Sequence, residues 1–458
     1  MTTDLQRVAL AYSGGLDTSV MIPWLRENLG CEVVAVVADV GQDEDLGAVR
    51  QKALDTGAES CRVLDLVDEF AREYLVRALR AGAVYEGRYL LGTALARPLI
   101  ARHQVRVARE EGCDGLAHGC TGKGNDQVRF EMTYGALAPE LEVVAPWRRW
   151  ELGSREALIA YARQRGIPVP ASRERPYSVD RNLWHTSYEG GPLEDPSRPA
   201  PEDLFERTVD PSSAPERPAE VRIAFTAGRP VALDGRQLPP AELIHRLNHV
   251  AGSHGVGRRD LVENRIVGMK SRGVYETPAG TVLMAALEDL ESITLDPDTA
   301  RFKRRVSDRY AELIYRGRWH APLREALDGF LDAAARTVTG TVTLRLHRGS
   351  CAPVARSSPW SLYREELATF GEDAVYDQAD AGGFIRLSGL PARVHARVHR
   401  RAETVRGGGW GDGGTAASSD DPPATPEVGA GAAARAGPEA VTAPVPGTAP
   451  DGPEEQGP

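Results

Sequence analysis

The chain of 458 residues is short of several groups that would mark a specialised protein class. It has five cysteines, Cys31, Cys61, Cys113, Cys120 and Cys351, scattered and without a Cys-x-x-Cys pair. That excludes a disulfide framework and a cysteine zinc site, and it fits reduced thiols. No apolar run reaches the ~18 residues that a membrane span needs. The start, Met1-Thr-Thr-Asp-Leu-Gln-Arg7, has no charged segment followed by an apolar one, so no export signal and a cytoplasmic location are expected. Lysine is scarcest of all. Lys52, Lys123, Lys270 and Lys303 are the only four among 55 basic residues, so arginine richness here reflects composition and says nothing of phosphate binding. The net charge is −10 and there is no basic block, which argues against a nucleic-acid partner.

What remains is ordinary globular composition, 41% hydrophobic and 26% charged, enough for two or three domains. The C-terminal 407–458 stands apart. It holds 12 Gly and 9 Pro, and its eight acidic residues face Arg435 alone, giving −7 of the chain's −10. Such a segment buries too little apolar surface to offset its ordering entropy, and a disordered acidic tail is expected.

The first 170 residues alternate strand and helix patterns. Apolar runs at Arg7–Tyr12, Glu32–Val40 and Cys61–Leu66 are separated by helical spacing at Thr18–Asn28 and Asp45–Thr56, and Glu69–Ala81 follows. Continuous apolar strands between helices predict a parallel sheet covered on both faces, with ligands at the strands' carboxyl ends. Residues 192–218 are rich in proline and read as a long surface connection. Beyond it, Val221–Phe225 and Val231–Leu233 suggest a hairpin around Gly228, followed by helices at 239–252 and 299–315 and a strand at Val338–Leu346. The expected fold class is α/β: a parallel-sheet nucleotide-binding domain (1–170), an α+β domain (171–390), a basic C-terminal helix (391–406) and the tail.

The sharpest local feature is Ser13-Gly14-Gly15-Leu16-Asp17-Thr18-Ser19, between a buried strand and a helix. Two glycines permit a tight turn close to a ligand, and free N–H groups at a helix start favour an anion. Ser13, Thr18 and Ser19 add hydroxyls. Asp17 would either hold Mg²⁺ or cap the helix. No lysine follows, so this is not the G-x-x-x-x-G-K-[ST] loop; hydroxyls and backbone amides suit a leaving pyrophosphate. A second polar cluster lies at 118–131, where Gly119, Gly122 and Gly124 interrupt regular structure. Thr121, Lys123, Asn125, Asp126 and Arg129 surround them. Asp126 suits an ammonium, and Arg129 a carboxylate.

The stretch Ala11-Tyr-Ser-Gly-Gly-Leu-Asp-Thr-Ser19 resembles the loop of N-type ATP pyrophosphatases, and in detail the argininosuccinate synthase family. The resemblance covers about residues 5–400. It extends through Ala38-Asp-Val-Gly-Gln42, Arg88-Tyr-Leu-Leu-Gly-Thr93, His118-Gly-Cys-Thr-Gly-Lys-Gly-Asn-Asp-Gln-Val-Arg-Phe-Glu131, Tyr177-Ser-Val-Asp-Arg-Asn-Leu-Trp184, Val262-Glu-Asn-Arg-Ile-Val-Gly-Met-Lys-Ser-Arg-Gly-Val-Tyr275 and Ser361-Leu-Tyr363.

The resemblance implies a ligase that consumes ATP, with Mg²⁺, and joins citrulline to aspartate through a citrullyl-AMP intermediate. It places ATP on Ala11, Tyr12, Ser13, Gly14, Gly15, Leu16, Asp17, Thr18, Ser19, Ala38 and Gly119. Citrulline falls to Tyr89, Asn125, Arg129, Ser178, Ser187, Glu263 and Tyr275, and aspartate to Thr121, Asn125 and Asp126. Asp17 and Asp126 are the expected catalytic carboxylates, with no fixed protein metal site. The implied assembly is a homotetramer built on C-terminal helices, for which 391–402 is either the element or a solvated basic helix. One departure stands out: Ala94 occupies a position where the family pattern has a serine on citrulline. The missing hydrogen bond would weaken that ligand by about 0.5–1.5 kcal/mol. Cys120, inside the motif, reads as a small filler, and the retained Lys123 as either a wanted point charge or chance.

Overall fold

The computed structural model describes residues 5–168, 177–369, 371, 375 and 377–407. The chain divides into two units, Met1–Val375 and Tyr376–Pro458. The predicted tail beyond Gly407 lies outside the described residues.

Five strands, β1 (Arg7–Ala11), β2 (Glu32–Asp39), β3 (Ser60–Asp65), β4 (Gly115–His118) and β5 (Glu142–Val144), form one sheet in the order β3-β2-β1-β4-β5. Every pairing in it is parallel. The interior strands β1 and β2 have apolar middles; β2, Glu-Val-Val-Ala-Val-Val-Ala-Asp, buries five consecutive residues. That pattern fits a strand with helices on both faces. Connections from β1 leave toward β2, whereas β4 joins β1 from the other side. The carboxyl ends of β1 and β4 therefore diverge at the point where a doubly wound sheet opens a crevice.

Helix boundaries follow local chemistry. The first helix is Leu16–Leu29, two residues earlier than the apolar spacing suggests, so Leu16 and Asp17 belong to its first turn. The second, Leu46–Asp55, starts where the Asp45 carboxylate accepts from Ala48 N–H at 3.0 Å. The helical stretch 67–81 includes a π-turn at Phe70–Leu75. Two helices that the sequence reading passed over, Gly92–Glu110 and Asp126–Leu137, pack together and carry much of the site described below.

Beyond residue 177 the sheets are antiparallel. One has the order β11-β12-β7-β6, from β6 (Ser178–Arg181), β7 (Thr186–Glu189), β11 (Arg258–Asn264) and β12 (Lys270–Glu276). The other has the order β10-β9-β8-β13-β14, from β8 (Ala219–Thr226), β9 (Arg229–Leu233), β10 (Arg236–Gln237), β13 (Gly340–His347) and β14 (Ser350–Ser357). The expected hairpin around Gly228 is present; Ala227 and Gly228 both have positive φ, at 47° and 73°, as a tight primed turn requires. Helices Pro240–Ser253 and Pro297–Tyr315 lie close to where their spacing put them. In the second unit, Asp380–Ser388 and Leu390–Gly407 are helical, the latter covering the basic stretch.

The proline-rich connection is anchored rather than loose. Glu276, fully buried at the end of β12, receives five hydrogen bonds. Tyr188 Oη donates at 2.6 Å, the N–H groups of Glu206, Arg207 and Thr208 at 2.9, 2.9 and 2.7 Å, and Thr208 Oγ1 at 2.7 Å. An ionised carboxylate tolerates burial only with such a complete set. Glu276→Gln leaves donors unmatched and is expected to destabilise the protein by about 3 kcal/mol. Denaturant unfolding of the two proteins checks this; equal midpoints would contradict it.

Candidate functional site

A cavity of about 570 Å³ opens where the carboxyl ends of β1, β2 and β4 meet β6 and β7. Ala11, Tyr12, Ser13, Gly15, Asp17 and Thr18 line one side, with Ala38 at the end of β2. Tyr89, Gly119, Thr121, Asn125, Asp126, Arg129, Ser178 and Ser187 line the other. Fifteen of the residues singled out in the sequence thus share one cavity.

Five do not line it. Ser19 is fully buried and turns inward, where its hydroxyl meets Tyr12 Oη at 3.0 Å and donates to Gly14 O at 3.4 Å. Leu16 packs against the apolar core beneath the sheet. Gly14 has φ +74°, and a Cβ there would lie 3.1 Å from Val49, so only glycine holds the turn without strain. Tyr275, buried, stands behind Tyr89 with ring centroids 4.8 Å apart. Glu263 is buried close to Arg129 and Tyr315.

The loop at 13–19 closes on itself through hydroxyls. Ser13 Oγ and Thr18 Oγ1 are 3.2 Å apart, Gly15 N–H reaches Ser13 Oγ at 3.4 Å, and Thr18 Oγ1 donates to Gly15 O at 3.4 Å. Bonds this long are weak, so the same donors are free to turn to an anion. Asp17, in the helix's first turn, faces the cavity, and burial raises its carboxyl above the ordinary value. Gly119 permits the opposite loop to approach: a Cβ there would come within 2.7 Å of the Thr18 methyl.

The far wall is a chain of alternating charges. Arg97 Nε donates to Asp126 Oδ2 and its Nη2 to Asp180 Oδ2, both at 2.9 Å. Arg129 Nη1 donates to Asp126 Oδ1 at 2.7 Å. Burial alone would raise the Asp126 carboxyl; the Arg97 and Arg129 guanidiniums outweigh it and hold it down at about 2. Thr93 Oγ1 donates to Asp180 Oδ2 at 2.8 Å and lies 2.9 Å from His185 Nε2. A hydroxyl has one proton to give, so Nε2 of His185 carries the hydrogen of that second contact. Burial pushes the His185 pKa down to about 3, and the ring is neutral. Asn125 is already engaged on both ends: its Oδ1 accepts from Ile266 N–H at 3.0 Å, and its Nδ2 donates to Tyr315 Oη at 2.9 Å.

Thr93, Arg97, Asp180, Arg181, Glu189 and Arg265 also line the cavity, and the sequence reading assigned none of them a role. The signal for Arg97 was its position one helical turn after Thr93. Ala94, by contrast, is fully buried in the apolar core and lies outside the cavity lining; the hydroxyl at this helix start belongs to Thr93. Lys123 is exposed and outside the lining, and only its backbone carbonyl is used, by Arg265. Burial pushes the Cys120 thiol well above its ordinary value, which suits an inert filler.

Glu263 Oε2 is buried without a hydrogen-bond partner. Burial pushes this carboxyl up to about 7 from the ordinary 4.5; Arg129 opposes the rise and Glu189 adds to it. The unfolded chain loses this proton near pH 4.5, whereas the folded one keeps it until about 7. Stability is therefore lost as pH rises through that window, and the whole cost is present above 7. Glu263→Gln is expected to stabilise the ligand-free protein at pH 8 by up to about 3 kcal/mol, with little effect at pH 5. Calorimetric unfolding at both pH values checks it; a gain independent of pH would contradict it.

Among the described residues no group of three or more His, Cys, Asp or Glu side chains is placed to hold a metal ion, and no helix is long and apolar enough to cross a membrane. Two family models match the chain. That for the Arginosuccinate synthase N-terminal HUP domain covers residues 7–168, and that for the Arginosuccinate synthase C-terminal domain covers 177–395. Argininosuccinate synthase of Pelotomaculum thermopropionicum is 57% identical over 398 residues, 87% of this chain and 99% of that protein. The enzyme of the same name from Carboxydothermus hydrogenoformans is 56% identical over 395 residues, 86% of this chain and 98% of its own length. The chloroplastic argininosuccinate synthase of Arabidopsis thaliana is 53% identical over 397 residues, 86% and 80% of the two chains.

Proposed function

We infer the roles of individual residues from one premise: the chain belongs to the argininosuccinate synthase family. It is a ligase of arginine biosynthesis that joins L-citrulline to L-aspartate, converting ATP to AMP and pyrophosphate. The observation that carries the residue assignment is the two-sided cavity, with weakly bonded hydroxyls and amides on one wall and a chain of charges on the other.

ATP lies with its base beside Ala38 and its phosphates on Ser13, Gly15 and Thr18, at the start of Leu16–Leu29. The ureido oxygen of citrulline attacks the α-phosphorus, the bond to the β-phosphate oxygen breaks, and citrullyl-AMP forms. Negative charge grows on the departing pyrophosphate, and the helix N-terminus with its hydroxyls stabilises it. Asp17 is the one loop carboxylate facing this space. One carboxylate together with substrate phosphates is an ordinary way to hold Mg²⁺, which would neutralise part of that charge.

In the second step the aspartate amine attacks the ureido carbon and AMP leaves. Asp126, with Thr121, orients the aspartate ammonium. A carboxyl held at about 2 stays ionised at neutral pH and is a poor proton acceptor, so its role is orientation, not general base catalysis. Arg129 keeps a free Nη2 for a carboxylate. Tyr89, Ser178 and Ser187 provide hydroxyls for citrulline, and Glu263 a carboxylate for its ammonium, which would relieve the unpaired oxygen. Tyr275 supports Tyr89 from behind.

The division into residues 1–170, 171–390 and a C-terminal helix, a cytoplasmic location and a homotetramer complete the reading. The exposed stripe of Leu390, Val394 and Val398, spaced four apart on Leu390–Gly407, supports the assembly.

With Mg-ATP, pyrophosphate release is expected to require citrulline. Label from an ¹⁸O-ureido oxygen should appear in AMP only when aspartate is also present; unlabelled AMP would contradict the adenylate. Asp126→Asn is expected to lower kcat/KM for aspartate by about 100-fold while the KM for ATP stays nearly constant. Steady-state kinetics with each substrate varied in turn checks it, and unchanged turnover would remove Asp126 from the site.

A further inference from the structure

The phosphate loop has no lysine of its own, yet one reaches it from elsewhere in the chain. Lys52, one of only four lysines, projects from Leu46–Asp55, and its Nζ donates to Gly14 O at 2.7 Å. It is shorter than the side-chain hydrogen bonds within the loop, which run from 3.0 to 3.4 Å. Ser19 Oγ approaches the same carbonyl from the opposite helix at 3.4 Å. The lysine is half-buried, and burial is the sole cause acting on its pKa, which is drawn down; no carboxylate contributes. A desolvated ammonium without a counter-charge is a costly arrangement. Lys303, another lysine on a helix, is by contrast held by Glu291 at 2.9 Å.

The peptide plane between Gly14 and Gly15 explains what the contact does. In a trans peptide the carbonyl of one residue and the N–H of the next point in opposite directions. With Gly14 O fixed toward Lys52, the Gly15 N–H faces the cavity side, where Ser13 Oγ now accepts it at 3.4 Å. Two successive glycines impose little resistance to rotation of that plane, because neither has a Cβ to block the flipped form. Rotation would point a carbonyl oxygen at the phosphates in place of a donor.

We propose that Lys52 is a positioning residue of the adenylation step: it locks the Gly14–Gly15 peptide with its N–H toward the pyrophosphate and places an uncompensated positive charge behind the loop. The inference rests on the reading of 13–19 as the pyrophosphate loop. It also reconciles that loop with its lack of a lysine. The charge acts through one peptide and stays out of direct contact, so it strengthens the grip on the leaving group without trapping it.

The test uses the full chain with Mg²⁺, inorganic pyrophosphate as the probe in calorimetric titration, and steady-state kinetics for all three substrates. Lys52→Met keeps the stem and removes the charge; Lys52→Arg keeps the charge and a donor. Lys52→Met is expected to weaken pyrophosphate binding and raise the KM for ATP by about tenfold each, with the KM values for citrulline and aspartate within about twofold of the parent. Lys52→Arg should recover most of that loss. Unchanged pyrophosphate affinity in Lys52→Met overturns the proposal. So does a uniform rise in all three KM values with a fall in Tm that Lys52→Arg shares, since that marks a purely structural role. If the parent protein itself neither binds pyrophosphate nor releases it from ATP, the reading of the loop falls first, and this outcome is distinct from a parent that binds and a variant that binds equally.

Discussion

The alternating chain Asp180–Arg97–Asp126–Arg129 is the constraint on which the site depends. Each charge is at least partly withdrawn from water, and a single ion so placed would cost several kcal/mol. Together they satisfy one another through bonds of 2.7–2.9 Å. They also tie three elements that are remote in sequence: Gly92–Glu110, Asp126–Leu137 and β6. Removal of one member takes a charged partner from each neighbour, and Asp126 is the member whose loss unpairs both arginines from a shared carboxylate. The chain thus fixes the geometry of this wall, and on the proposed assignment that rigidity positions two substrates beside one intermediate. An Arg-to-Lys exchange at Arg97 would keep the charge but lose the planar fork that serves two carboxylates at once.

Around that chain the backbone itself is held in an uncomfortable state. Leu91 adopts φ 64° while fully buried, a conformation that costs a branched side chain on the order of 1–2 kcal/mol. It persists because the Asn182–His185 turn grips it. Trp184 Nε1 donates to Leu90 O at 2.9 Å, Asn182 Nδ2 donates to Gly92 O at 3.3 Å, and a Cβ on Gly92 would strike the His185 ring. Asn182 Oδ1 in turn accepts the N–H groups of Trp184 and His185. The consequence is that Tyr89 and Thr93, on either side of the kink, both face the cavity. The segment Tyr177–Trp184, which reads in the sequence as a substrate motif, thus does two jobs: Ser178 lines the wall and Asn182 and Trp184 brace it.

These particulars show why some features were legible in the sequence and others were not. The parallel sheet was, because a strand covered on both faces is apolar through its middle, as β1 is over 8–11 and β2 over 33–38. The turn at 13–19 was, because a glycine pair between an apolar strand and helical spacing marks a tight strand-to-helix connection. Strands β11 and β12 were not recognised: Arg258–Asn264 has only Leu261 and Glu263 buried, and the second of these is a carboxylate, so no apolar alternation marks it. Arg97 was hidden in a chain with 51 arginines, where one more on a helix carries no distinguishing signal until folding brings Asp126 and Asp180 to it. Ser19 shows the converse. Its place in the motif suggested a ligand hydroxyl, whereas the first helix's rotation turns it into the core, where it bonds Tyr12 and Gly14.

On the proposed assignment, the two walls differ in kind because their ligands have different fates. Pyrophosphate is a product and must leave after each turnover. Donors bonded at 3.2–3.4 Å to one another can turn to it and turn back, and interactions that strengthen only as charge develops raise kcat without holding the product. The amino-acid wall meets groups that are charged before, during and after reaction. Rigid partners are the better choice there, since nothing needs to change as the bond forms. Asp126 held near 2 serves that end: it presents the same negative charge at any physiological pH. Glu263, buried close to Arg129 and outside the lining, differs. One of its oxygens is unpaired and burial raises its carboxyl to about 7, so its state would respond to a cation placed at that oxygen. A cation at that oxygen would draw its pKa down and recover the folding energy that the empty pocket forgoes. On the proposed assignment, binding of a substrate ammonium there is coupled to release of a proton.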